Sequence, residues 1–347
     1  MTRRPALTPL MAASLFLFAC NNSFAGWAEM QIERTVRNIA AVQSYQGVLE
    51  QQGLYGDDTV KSEIWFQRPH DFHSHTLAPA SLAGSVTRYS EDTLMTWLPT
   101  LDIALIIRNL PAAPAEQEAK RIEDAWRENT RRYFYALGNV SKVAGHDAVE
   151  LEQKARNPND LIQHSRTQVL DQYSFPLAGT VTLHGGDSFS YQYQRITFNQ
   201  PLALPEAPKL PASAMQIEWD LNWPDVSSEA ISARLPALGS LPDSLLGLPL
   251  QRRLIHPGAL PAVAGYYSDG NYFVLLTAAR DFALPNPAPY GLNVSLGKDK
   301  PALLVLTPLI NTWSFSGNGV AWTVTSNQHP ELMYSALQNM PGCTTRC

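Results

Sequence analysis

SEIWFQRPHDFHSH, residues 62–75, is the stretch on which the reading of the chain turns. It carries His70, His73 and His75, three of the eight histidines, and a histidine-rich tract invites a metal reading. The backbone argues against it. An extended strand alternates its side chains between two faces, so His70 and Phe72 point one way and His73 and His75 the other. One strand therefore does not bring all three imidazoles to one ion, and spacing nominates no partner for the pair His73/His75. Pro69 ends or bulges the strand, because proline does not donate to a central ladder. Asp71 beside His73 has the residue types of an acid–base pair, but neighbours on a strand ordinarily face solvent. The expectation is a strand end with incidental histidines and no metal.

Working outward, the pattern stays strand-like. Tyr45–Gln52 reads as a strand, 53–58 as a turn, and "KSEIWFQ" as its partner. "VTRYS" (86–90) and "TLMTWLP" (93–99) pair around Glu91-Asp92, and "LDIALIIRNL" (101–110) is a third strand, nearly all apolar. Two segments break the rhythm. "WAEMQIERTVRNIAAVQ" (27–43) has Met30, Ile32, Val36, Ile39 and Val42 at broadly helical spacing. "AEQEAKRIEDAWRENTRRYFYAL" (115–137) lacks Gly and Pro and reads as helix throughout. Short strands resume at "AVELEQKA", "IQHSRTQVLD", "AGTVTLHGG" and "FSYQYQRITFN". In the last, Phe189, Tyr191 and Tyr193 share one face, and Ile196 and Phe198 share a face further on.

Residues 201–216, "PLALPEAPKLPASAMQ", read as an extended proline-rich linker. A smaller domain follows, with a hairpin at "GYYSDGNYFVLLTA", the strands "PALLVLTPLI" and "NTWSFSGNGVAWTVTS", and a last helix, "PELMYSALQNM". With 347 residues the chain suits two domains, here 26–200 and 217–342. Its 26 prolines and low charge, 16%, fit a turn-rich β protein.

Residues 1–25 read as an export signal: Arg3 and Arg4, an apolar run from Leu10 to Ala19, then Ser23-Phe24-Ala25 at a cleavage site. Leu17-Phe18-Ala19-Cys20 gives a second reading, a bacterial lipobox in which Cys20 is cut and acylated. Either way the expected location is the periplasm of a Gram-negative bacterium. Without Arg3 and Arg4, 24 basic residues face 31 acidic ones, a poor balance for nucleic-acid binding. Cys343 and Cys347 lie in the tail 343–347, where an exported context permits a disulfide. The chemistry motifs are missing: no G-x-S-x-G, H-E-x-x-H, P-loop or G-x-G-x-x-G. "GNGVAW" (317–322) is a turn. No catalytic residue and no cofactor is expected.

Trp65, Arg68, Pro69 and Phe72 stand where the LolA-like periplasmic lipoprotein carriers have a strand-end Trp, an Arg-Pro step and a Phe three residues on. Leu94, Trp97 and Pro99 resemble that family's next hairpin, although Glu91-Asp92 replaces its turn glycine. "VAGHDAVELEQKARN" and "SRTQVLDQYSFPLAGTVTLHGGDSFSYQYQRITFN" resemble its closing strands, so 27–200 is covered in order. Beyond, "GYYSDGNYFVLLTA" resembles the YSDG hairpin of the envelope-stress regulators RseB and MucB, and "SYQGV" (44–48) resembles their first strand.

The resemblance implies an α+β, mostly antiparallel fold: an incomplete curved β-barrel with helical lids (27–43 and 113–137) and a smaller α+β C-terminal domain. It implies a concave apolar face for acyl chains of a lipid or lipoprotein, with Ile64, Trp65, Phe66, Phe72, Leu94, Trp97, Ile103, Leu105 and Ile107 as candidate lining. The same residues would equally make an ordinary core. It implies that Arg68 latches the lid to the sheet; the residue alone also reads as a surface arginine covering a strand end. In function it implies an RseB/MucB-like regulator of the sigma-E type that senses acyl chains and binds a membrane-anchored anti-sigma factor. The alternative is a LolA-like carrier moving lipoproteins or lipids between membranes.

Overall fold

The computed structural model describes residues 34–35, 37–68, 71–110, 115–185, 187–258, 261–280, 291–296, 301–306, 310–317 and 319–338. The export signal with Cys20, most of the N-terminal half of helix 27–43, Pro69, His70, Cys343 and Cys347 lie outside them.

Among the described residues two sheets make the fold, and neither closes into a barrel. The first has twelve strands in the order β12-β6-β5-β4-β3-β2-β1-β11-β10-β9-β8-β7. Its first six are β1 (Ser44–Tyr55), β2 (Asp58–Gln67), β3 (Asp71–Ala78), β4 (Val86–Ser90), β5 (Thr93–Leu98) and β6 (Ile103–Arg108). Helix α1 (Ala115–Arg132) interrupts, and β7 (Tyr133–Val143), β8 (His146–Ala155), β9 (Ile162–Leu170), β10 (Phe175–Leu183) and β11 (Ser188–Phe198) follow. All these neighbours pair antiparallel; β12 (Met215–Asp220) alone pairs parallel, with β6. A flat sheet of twelve strands would span about 50 Å. Yet residues from Val143 on β7 to Trp219 on β12 share one buried cluster, which requires the sheet to curl around its inner face.

The helix expected through Leu137 stops at Arg132 instead. Tyr133, Phe134 and Tyr135 are aromatic strand formers, and they run on as β7, paired with Ala155, Lys154 and Gln153. Arg131 and Arg132 fill the last helical turn, where cations suit the exposed carbonyls.

The proline-rich stretch does not swing free. Arg88 Nη1 donates to the Pro205 carbonyl at 2.7 Å, and Leu210 and Ala214 pack on Val86, Trp97, Ala104 and Ile106. It straps the outer face of β4–β6 and delivers β12 to the sheet edge.

The second sheet has eight strands, β13-β14-β15-β16-β20-β19-β18-β17: β13 (Ser244–Leu245), β14 (Leu248–Ile255), β15 (Ala262–Ser268), β16 (Phe273–Arg280), β17 (Leu292–Ser295), β18 (Pro301–Leu306), β19 (Asn311–Gly317) and β20 (Val320–Ser326). The β15–β16 hairpin turns at Asp269-Gly270, with Gly270 at φ 92°. Helices α2 (Ser228–Arg234) and α3 (Pro330–Gln338) complete this half. One face of β15 and β16, with Ala264, Tyr266, Phe273 and Leu275, enters the inner-face cluster of the first sheet. The other face carries Tyr267, Val274 and Leu276, joined by Trp313, Trp322 and Tyr334 in a separate core.

Candidate functional site

The register of β1, β2 and β3 sorts the expected lining residues. Phe66 stands opposite both Tyr45 and Phe72, and Ile64 opposite Gly47. Leu94 stands opposite Ile107. Ile64, Phe66, Phe72, Leu94 and Ile107 are all buried in the inner-face cluster, with Leu105 partly buried against it. Ile103 is buried on the same strand face, two residues before Leu105.

Trp65 and Trp97 sit elsewhere, and this corrects their grouping with the lining. Both occupy the outer face. Trp65 meets His73 edge-on at 5.2 Å between ring centroids; Trp97 packs with Val86, Ala104 and Ile106 under the proline-rich strap. An odd residue offset from Ile64 and Leu94 puts each on the other face.

Aromatic residues supply the rest of the inner face near the lid. Tyr45 stacks on Phe66 at 5.1 Å and meets Phe175 edge-on at 5.0 Å. Phe198 lies 5.0 Å from Phe175 and 5.1 Å from Tyr173. The buried hydroxyls of Tyr45 and Tyr193 share a hydrogen bond, and burial drives both pKa values up. Burial likewise pushes Tyr191, bonded to Thr167, up to about 12. These hydroxyls stay neutral, so the inner face carries no charge there. Tyr193 and Phe198 were visible in the alternation of "FSYQYQRITFN"; Tyr45 and Phe175 carried no comparable signal.

Over this patch lies the end of the N-terminal helix, helical at residues 37–40. Val42 is buried in the cluster. Arg68 reaches from the end of β2: Nε donates to the Val42 carbonyl at 2.7 Å and Nη2 to the Ile39 carbonyl at 2.9 Å. Those are carbonyls at and just past a helix end, where a cation is favoured; the Ile39 carbonyl also accepts from the Val42 N–H at 3.1 Å. The fork of a guanidinium engages two at once. The Arg68 backbone N–H adds a bond to the Gln43 carbonyl at 2.9 Å.

Two further ties hold the same segment. Asn199, at φ 55° just past β11, accepts from the Gln43 N–H at 2.7 Å and donates to the Ala41 carbonyl at 3.0 Å. Arg34 forks onto Asp171, both bonds at 3.0 Å, and Asn38 donates to the Asp171 carbonyl and to Ser174 Oγ. The Arg34–Asp171 pair is exposed, and such pairs stabilise by at most about 1 kcal/mol.

Helix α1 does not cover this patch. Its Trp126 lies 6.3 Å from the Tyr135 ring, and its Asp124 accepts from the Tyr272 hydroxyl at 2.8 Å, on the side of the second sheet. A cleft of about 400 Å³ opens at the other end of the inner face, between Leu105, Ile107, Ile217 and Trp219 and the second sheet. Among the described residues, no cluster of three or more His, Cys, Asp or Glu could hold a metal, and no helix is long and apolar enough to cross a membrane.

No family model matches the chain, and no curated protein matches it. It is similar to solved structures. A crystal structure of MucB is 16% identical, spans 90% of this chain and 97% of its own, and has a TM-score of 0.41. The Pseudomonas aeruginosa MucA/MucB complex is 15% identical over 89% and 96%, with a TM-score of 0.40. A putative outer membrane lipoprotein-sorting protein domain from Vibrio parahaemolyticus is 15% identical over 51% and 95%, with a TM-score of 0.29. The likeness thus runs to MucB over most of the chain and to lipoprotein-sorting folds over about half of it.

Proposed function

We propose that the chain is an exported, non-enzymatic protein that binds acyl chains beneath the 34–42 lid and acts as an RseB/MucB-like regulator gripping a membrane-anchored anti-sigma factor. The observation that carries the reading is the lid itself. An uncharged, aromatic inner face is capped by a short segment tied down mainly by polar bonds at its rim. Lifting that segment uncovers Tyr45, Phe66, Phe175 and Phe198 without unpicking the sheet. An acyl chain that enters beneath it, with the segment closing over again, gains about 0.8 kcal/mol for each buried methylene. The second sheet, packed into the same cluster as the inner face, supports a two-part regulator over a free carrier.

Arg68→Leu tests the lid. The substitution removes two charge-assisted bonds, each worth about 1.5–3 kcal/mol. The expected outcome is release of a pyrene-labelled hexadecanoate at least about tenfold faster than from the parent protein, because 1.4 kcal/mol is a factor of ten. Unchanged retention and release would remove the latch. Native mass spectrometry of the protein from its own envelope, without detergent, tests the acyl ligand directly. Recovery with a single-span inner-membrane protein supports the regulator; recovery with many lipoproteins supports the carrier.

A further inference from the structure

The 400 Å³ cleft lies where the two sheets end out of step. Inner-face residues of the first sheet cover β14, β15 and β16. The first sheet then stops at β12, while the second continues through β20, β19, β18 and β17. Beyond β16 the same face of the second sheet is lined by Thr323, Ala321, Ser314, Ser316 and Leu303. Register places them there: Thr323 lies opposite Thr277 and Ser314, and Ser314 opposite Leu303. None is fully buried. The reverse face of these strands is core, with Trp313, Phe315 and Trp322.

An exposed face of an antiparallel sheet is ordinarily solvated and polar, and Lys, Glu, Arg and Asp dominate such surfaces. This one differs. Among the described residues, none that lines the cleft is charged, in a chain with 57 charged residues counted as 26 basic and 31 acidic. Small hydroxyl side chains form the floor and Ile217 and Trp219 one wall. Paired sheets sit about 10 Å apart, so the space beside β12 has the depth of one more strand.

β12 also offers the backbone such a strand needs. Met215 N–H donates to the Asp102 carbonyl and Leu221 N–H to the Arg108 carbonyl. Odd-numbered positions thus face β6, and the period of two turns the N–H and C=O groups of Gln216 and Glu218 to the open edge. No described strand pairs with that edge.

We infer that the cleft is a docking slot for one extended segment of a partner polypeptide, added as a strand to the free edge of β12, with its alternate side chains against the Ser/Thr floor. Edge pairing supplies affinity, and the floor selects small or medium side chains at every second position. An acyl chain satisfies neither the open backbone groups nor the hydroxyls. The inference deepens the regulator reading by naming where a partner docks, and it does not depend on acyl binding under the lid.

A displayed library of random twelve-residue peptides is selected on the full protein, and the most enriched peptide is synthesised with a fluorophore. The expected winner alternates small or apolar with polar residues. Two protein variants and one peptide variant read the geometry. Thr323→Trp fills the floor. Gln216→Pro removes an outward N–H, at an edge position where proline is tolerated. N-methylation at every second residue of the peptide removes its pairing groups and leaves the protein untouched. Each should weaken binding at least about tenfold while circular dichroism of the protein stays unchanged. No enrichment over the Thr323→Trp protein, or binding indifferent to N-methylation, overturns the slot. Competition by hexadecanoate for the same peptide also overturns it, and leaves the acyl reading standing; loss of acyl retention with peptide binding intact separates the two the other way.

Discussion

His73 shows how one residue changes meaning between sequence and fold. In the sequence it belongs to a histidine-rich tract. In the structure it is buried on the outer face of β3, against Trp65, with Nδ1 lacking a hydrogen-bond partner. Burial lowers its pKa to about 4, and Arg88 and His75 add to the shift. An unfolded histidine titrates near 6.5. Between about pH 6.5 and 4 the unfolded chain therefore takes up a proton that the folded protein refuses, so folding stability falls as pH drops through that window. His329, half-buried just before α3 and also lowered to about 4 by desolvation, adds to the same slope. Urea midpoints between pH 7 and 4.5 should decline for the parent protein and decline less for His73→Leu. Equal slopes would mean that His73 protonates in the folded state as readily as in water.

At the scale of the element, β1 depends on a glycine. Gly47 lies mid-strand, where glycine ordinarily weakens a sheet. A Cβ there would come within 2.7 Å of the Arg195 carbonyl and 2.9 Å of the Tyr193 ring. The bare backbone lets Tyr193 lie across β1, where its hydroxyl reaches Tyr45. Gly47→Val should therefore destabilise by about 1–3 kcal/mol through overpacking, despite valine's higher strand propensity. It should also disturb the Tyr45–Tyr193 contact under the lid. Equilibrium unfolding gives the first, and near-ultraviolet circular dichroism of the tyrosines gives the second. A gain in stability would show that Tyr193 moves aside without cost.

Across the whole molecule, Glu331 joins the two halves. It is fully buried in the first turn of α3. Its carboxylate accepts from the Leu161 and Ile162 N–H groups at 2.9 and 2.8 Å and from the Tyr133 hydroxyl, all on the first sheet side. Burial raises its pKa, and those three donors pull it back down. Arg132, bonded to Glu128 and to Asp160, flanks the joint. Glu331→Ala leaves three buried donors without a partner. At about 1–3 kcal/mol for each unsatisfied group, the loss should exceed about 3 kcal/mol. Amide exchange at Leu161 and Ile162 should quicken before the rest of β9. A variant as stable as the parent, with those amides still protected, would show that the halves are held elsewhere.

The strands β1, β2, β4–β6 and β8–β11 and the Glu91-Asp92 and Asp269-Gly270 turns were legible in the sequence. Each rests on a local rule: a period of two, a turn residue, a breaker. The sequence alone read 62–75 as the end of one strand; the structure ends β2 at Gln67 and pairs it with Asp71, the first residue of β3. Three things only the tertiary structure decided. Trp65 and Trp97 went to the outer face, because one residue of offset inverts a side chain and motif spacing does not state the face. Tyr133–Val143 became the last strand of a sheet, because pairing with β8 outweighed the helical propensity of what precedes it. The proline-rich stretch became a strap that places β12 parallel to β6, because that pairing joins residues more than a hundred positions apart, and no local pattern encodes which distant edge a strand will find.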